Sequence, residues 1–179
     1  GPASLAGVST PPTTLADVVS HLHAWYPPHT ADDWDAVGLV AGDPGQEVTK
    51  VMLAVDVTAE VAAEAAEWGA DLLVVHHPLF LKAVHGVAAT TPKGRTLATL
   101  TKAGCALLTA HTNADRASGG VSEALALALG LEDVEPILAD PGTPVDKLTT
   151  YVPTDAVAIV RAALAEAGAG HIGDYDFAS

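Results

Sequence analysis

Residues Val51–Phe80 read VMLAVDVTAEVAAEAAEWGADLLVVHHPLF. The run VMLAVDVT, Val51–Thr58, is aliphatic and β-branched, and it reads as a buried strand that ends in an acid, Asp56, and a helix cap, Thr58. The helix formers of AEVAAEAAEW follow, up to Gly69, a residue suited to a left-handed helix stop. DLLVVH is then a second apolar strand. Strand, helix and strand in such close succession point to parallel neighbours, because a parallel pair needs a crossover connection.

The alternation continues downstream. After the loop HPLFLKAVHGVAATT, a helix is predicted from Pro92, whose missing N–H costs nothing in a first turn, through RTLATLTKAG. CALLTAH supplies a third strand, TNADRASGG a loop, VSEALALALG a helix closed by Gly130, and VEPIL a fourth strand or strand fragment. Upstream, Thr14 is placed to cap a helix over TLADVVSHLHAWY, with Leu15, Val18, Val19, Leu22 and Tyr26 on its apolar stripe. His21 and His23 flank Leu22 and read as helix-surface residues. The segment PPHTADDWDAVGLVAGDPGQEV is turn-rich, with a short apolar run at Val37 to Val40, and its Asp32, Asp33 and Asp35 read as solvated loop charges.

The expected fold class is therefore α/β: a layered mixed or parallel sheet with helices on its faces. A second unit is expected beyond the Pro/Gly/Asp-rich ADPGTPVD, where KLTTYV reads as a strand and TDAVAIVRAALAEAG as a helix closed by Gly168. One strand and one helix do not close a core, so this unit is expected to be incomplete. The domain plan runs as a flexible arm over 1–12 with Gly1 and Pro2 as a cloning leftover, an α/β metal-site domain over 13–140, a linker at 141–146, and the start of an α+β, ferredoxin-like unit over 147–179.

With 22 acidic against 8 basic residues the chain carries a formal charge of -14. That balance opposes nucleic acid, whose phosphates require clustered Lys and Arg. No apolar run approaches the roughly 20 residues that span a bilayer, and no secretory pattern is expected at the start. Cys105 is the single cysteine; it lies in an apolar run and reads as a buried structural thiol in a reducing, cytoplasmic compartment.

Sites in open α/β sheets gather at the carboxyl ends of strands. Three polar groups fall there: Asp56, the pair His76 and His77, and HTNAD, His111 to Asp115. Adjacent side chains within a strand face opposite ways, but at a strand end two neighbouring imidazoles can serve one site, and Pro78 stops the ladder there. Imidazole with a nearby carboxylate, for which Asp115 is the candidate, is a donor set for divalent metal, and two adjacent histidines can serve two ions about 3.5 to 4 Å apart. A hydrogen-bonded histidine pair that merely holds a loop is the alternative. GAGHIG, Gly168–Gly173, matches a dinucleotide-binding pattern in letters but follows a helix instead of a strand, so it reads as a turn. Ser118 and Ser122 lack a nucleophile elbow, and His85 and His171 have no identifiable partner.

The segments WDAVGLVAGD (Trp34–Asp43), AVDVTAEVAAEAAEWGADLLVVHHPLF (Ala54–Phe80) and AHTNAD (Ala110–Asp115) resemble the NIF-three-like family, YbgI type, whose members are labelled GTP cyclohydrolase I type-two homologues. The resemblance covers Leu15 to Leu138, and the last segment resembles the start of a domain inserted between the two halves of longer members. It implies a dinuclear centre with His76, His77 and Asp115 as ligands; a later histidine and glutamate of the family pattern have no counterpart in this sequence. Asp56 and His111 are expected as groups that orient ligands or polarise water. The implied cofactors are two divalent ions, among zinc, manganese, iron, cobalt and nickel. The implied function is a metal-dependent hydrolase acting on a nucleotide or another small phosphorylated or cyclic amide compound. The alternative is a non-catalytic metal-binding regulator or trafficking scaffold. The partner expected by resemblance is the chain itself, in a toroidal homohexamer.

Overall fold

The computed structural model describes residues 11–137 and 148–170. They fall into two units divided after Glu135. In the first, the chain runs α1 (Leu15–Trp25), β1 (Gly38–Ala41), β2 (Val51–Ala54), α2 (Ala59–Trp68), β3 (Leu72–Val75), α3 (Pro92–Lys102), β4 (Ala106–Thr109), α4 (Thr112–Arg116) and α5 (Val121–Ala128). The fold is α/β, with four strands in the order β1-β4-β3-β2. β2, β3 and β4 are parallel and β1 is antiparallel to β4, so the sheet is mixed.

Local chemistry accounts for the element ends. Thr14 and Asp17 form a reciprocal capping box at the start of α1, which satisfies two backbone donors left over at a helix N-terminus. Thr58 caps α2, and Gly69 closes it in the left-handed conformation at φ 72°. Pro92 occupies the first turn of α3 behind the Thr91 cap.

The two central strands explain why the sequence there is continuously apolar. Leu73, Val75 and Leu107 pack on one face against Ala62, Ala65 and Leu100 of α2 and α3. Leu72, Val74, Ala106 and Leu108 pack on the other face against Leu15 of α1. Side-chain alternation places successive residues on opposite faces, and both faces are covered. Cys105 is buried in the first of these layers.

Several expectations are corrected. β2 is an edge strand, not a buried one: Met52 and Ala54 pack inward, while Leu53 is 75% exposed. The fourth strand is β1, formed by the apolar run before Gly42. VEPIL forms no strand over its described residues, 134–137, and Leu138 lies outside them. TNADRASGG is not all loop, since Thr112–Arg116 is a short helix. His23 is not a surface residue: it is partly buried, and its Nε2 lies in the interior without a hydrogen-bond partner.

In the second unit, a single 3-10 turn at Thr154–Ala156 leads into α6 (Val157–Glu166). Gly168 follows at φ 91°, in keeping with a helix stop. KLTTYV shows no strand over residues 148–152; Lys147, the expected linker 141–146, and His171–Gly173 of the GAGHIG turn lie outside the described residues. No helix among the described residues is long and apolar enough to cross a membrane.

Candidate metal centre

Parallel strands end at one rim, and the polar groups after β2, β3 and β4 meet there. The β2–β3 ladder runs just past Val75: His76 N–H donates to the Ala54 carbonyl at 3.2 Å and His77 N–H to that of Val55 at 2.9 Å. Pro78 has no N–H with which to continue. The two rings lie 5.1 Å apart between centroids, tilted by 47°. His111, leaving β4, brings its ring to 4.9 Å from that of His76 and 5.6 Å from that of His77. One nitrogen of each of these three rings lies within 4.8 Å of those of the other two.

α4 supplies the carboxylate. Asp115 N–H donates to the His111 carbonyl at 3.1 Å, so Asp115 sits one helical turn past His111. Its Oδ1 stands 3.6 Å from His76 Nε2, too far for a hydrogen bond and close enough for both atoms to face one cation. The turn is held by Asn113, which is buried: its Oδ1 accepts from His111 N–H at 3.0 Å and its Nδ2 donates to the Tyr26 carbonyl at 2.8 Å.

Each imidazole is held by an oxygen at the same ring atom. Nδ1 of His76 faces the Ala110 carbonyl at 3.0 Å, Nδ1 of His77 faces Asp56 Oδ1 at 2.7 Å, and Nδ1 of His111 faces Asp35 Oδ1 at 2.9 Å. A carbonyl or an ionised carboxylate only accepts, so in each case Nδ1 carries a proton, and in the neutral ring Nε2 is then the nitrogen with the lone pair. Metal-binding imidazoles are commonly oriented in this way. Three rings oriented alike and close together, with Asp115 opposite His76, fit a divalent cation.

Asp35 corrects an expectation from the sequence. Its side chain is fully buried and not solvated. Burial alone would raise its pKa, but hydrogen bonds from the Thr112 hydroxyl, His111, and the Thr112 and Ala36 N–H groups outweigh that and bring it down to about 2. The segment before β1 is tied further to α4, with Arg116 paired to Asp32 and donating to the Thr30 carbonyl at 3.0 Å. The available signal was that Asp35 falls within WDAVGLVAGD; nothing in local periodicity marks it.

The structure thus brings His76, His77, His111 and Asp115 together, with Asp56 behind His77. His111 stands in the ring cluster itself, a more direct position than the orienting role expected of it.

A family model described as Duf34/NIF3 (NGG1p interacting factor 3) matches residues 13–177. The GTP cyclohydrolase 1 type 2 homolog of Mycobacterium tuberculosis is 52% identical over 168 residues, which are 92% of this chain and 43% of that protein. The homolog of the same name from Bacillus subtilis is 37% identical over 158 residues, 88% of this chain and 42% of the relative. Among solved structures, a Bacillus cereus protein related to NIF3 superposes with a TM-score of 0.67 at 34% identity, covering 94% of this chain and 46% of that one. The chain spans less than half the length of these curated relatives.

Proposed function

The chain belongs to the Duf34/NIF3 family, and on that premise we propose that it is the metal-binding portion of a metal-dependent hydrolase. His76, His77, His111 and Asp115 are the proposed protein ligands of two divalent ions. The observation that carries this reading is the shared orientation: three clustered rings, each with Nδ1 against an oxygen. Zinc, manganese, iron, cobalt and nickel all suit imidazole and carboxylate donors. When bound, such ions supply Lewis acidity toward a carbonyl or phosphoryl oxygen and a nucleophile at neutral pH. The chain's own part is to aim the Nε2 atoms, to place the Asp115 charge opposite that of His76, and to fix His111 through buried Asp35.

The name carried by the relatives supports a nucleotide, or another small phosphorylated or cyclic amide compound, as substrate class. The test is to measure bound metal in the protein and in His76→Ala and Asp115→Ala, then to assay the loaded protein against phosphoesters, cyclic amides and nucleotides. Metal content unchanged in both variants ends the assignment.

A second reading is a non-catalytic metal-binding regulator or trafficking scaffold. It is favoured by Asp35 and Asp56, which are both engaged with imidazole N–H groups and so are poorly placed as general bases. Silence across the substrate panel, with metal retained, selects it. The whole protein is further proposed to form a toroidal homohexamer, on the strength of the family resemblance, and to act in the cytoplasm, since the one cysteine of this sequence suits a reducing compartment; light scattering of the intact protein tests the assembly.

A further inference from the structure

Beside the histidine cluster a cleft of about 370 Å³ opens between the starts of α2 and α3, and His77, Asp56, Lys93 and Arg95 are among the residues that line it. In a chain with only eight Lys and Arg residues and a net charge of -14, two cations against one acid, Asp56, in the lining of a cleft next to the candidate metal ligands form a local reversal of sign. Their position on α3 is against local preference. The N-terminal turn of a helix is its positive end and favours acids, yet the first turn of α3 contains Lys93 and no acidic residue. An anion in the cleft would resolve that conflict, since the two cationic residues and the start of α3 line it together.

Each cation also makes a contact at the border of the cleft. Arg95 uses Nη1 to hold the Thr90 carbonyl at 3.2 Å, which anchors a guanidinium whose planar fork suits phosphate. Lys93 Nζ lies over the Phe80 ring, 6.0 Å from its centroid. Asp56, the acid lining the cleft, has its Oδ1 turned to His77 Nδ1 at 2.7 Å.

We propose that this cleft is the anion subsite of the metal centre, in which Lys93 and Arg95 hold the phosphate of a phosphorylated small molecule while its reacting group lies at the histidine cluster. The inference rests on the metal-centre reading and narrows its substrate class, since an uncharged cyclic amide would leave both cations unpaired.

The experiment titrates inorganic phosphate calorimetrically into the zinc-loaded and the zinc-free chain, and into Lys93→Gln, Arg95→Gln and the double variant. Both side chains belong to exposed residues, so folding is expected to survive, and circular dichroism checks this. Expected are phosphate binding by the parent chain, a loss of about tenfold in each single variant and about a hundredfold in the double, and unchanged zinc content in all of them. Acetate at equal concentration should bind more weakly. Phosphate binding that follows zinc content and ignores both substitutions overturns the subsite and leaves the metal centre standing. Absence of phosphate binding by the zinc-loaded parent also overturns it. Failure of the parent to bind zinc is read separately, from metal content, and counts against the metal centre; the zinc-free titration still reports on Lys93 and Arg95.

Discussion

Asp35 and His111 stand 76 positions apart in sequence and are joined by a hydrogen bond of 2.9 Å between Oδ1 and Nδ1. The carboxylate has no solvent exposure and also accepts from the Thr112 hydroxyl and N–H. One buried acid therefore fixes both the ring and the turn that carries Asp115.

Asp35→Asn should consequently weaken metal binding without touching a ligand. An amide that presents its NH2 to Nδ1 reverses the imidazole tautomer, putting the proton on Nε2 where the lone pair is needed. Loss of such an outer partner typically reduces affinity about 10- to 100-fold. Competition with a chromogenic chelator measures this; equal zinc affinity in the variant, with circular dichroism unchanged, would show that Asp35 serves folding alone.

How much of this was legible beforehand depends on sequence range. β3 and β4 declared themselves because both faces are buried, so every residue is apolar, and the ligand candidates sit where those runs stop. β1 did not, because a short strand closed by Gly42 carries no usable period. β2 read as buried because its letters are apolar, whereas edge position is a property of sheet order that no local pattern encodes. Asp35 was hidden for the same reason: three nearby acids look alike until the fold buries one of them against His111.

Cys105 should be unreactive in the native state. Burial pushes its thiol up to about 11, so at pH 8 only about one molecule in a thousand carries the thiolate, the reactive form. A disulfide reagent should leave it unmodified in buffer and titrate one thiol after unfolding in urea. Rapid stoichiometric labelling of the folded protein would mean that the layer beneath α3 opens readily.

Asp71 should contribute to a pH dependence of stability remote from the metal site. Its Oδ2 accepts from Thr49 N–H, the Thr49 hydroxyl and Lys50 N–H at 2.8 to 2.9 Å, and these bonds hold its pKa below the ordinary value. A carboxyl depressed on folding contributes stability that is complete above its unfolded pKa of about 3.9 and lost as pH falls through the lower folded value. Asp71→Asn should therefore be less stable than the parent near pH 7, with the gap narrowing as pH drops below 4. Urea midpoints across that range decide, and a gap independent of pH would exclude the ionised form as the source.

Gly42 closes β1 at φ 134°, and a Cβ there would lie 2.6 Å from Ala106 Cβ and 2.9 Å from Leu15 Cδ2. Both neighbours are fully buried, one in the central strand and one in the helix packed upon it, so neither yields without moving its element. Overpacking and backbone strain each carry about 1 to 3 kcal/mol. Gly42→Ala is expected to lose at least about 2 kcal/mol, which for a chain of this size moves the urea midpoint down by about 1 M. Because β1 carries the segment that presents Asp35 to His111, the same variant should bind zinc more weakly even where it remains folded. An unchanged midpoint would mean that α1 shifts freely on the sheet, and the route from Leu15 through Gly42 to the metal centre would then have to be abandoned.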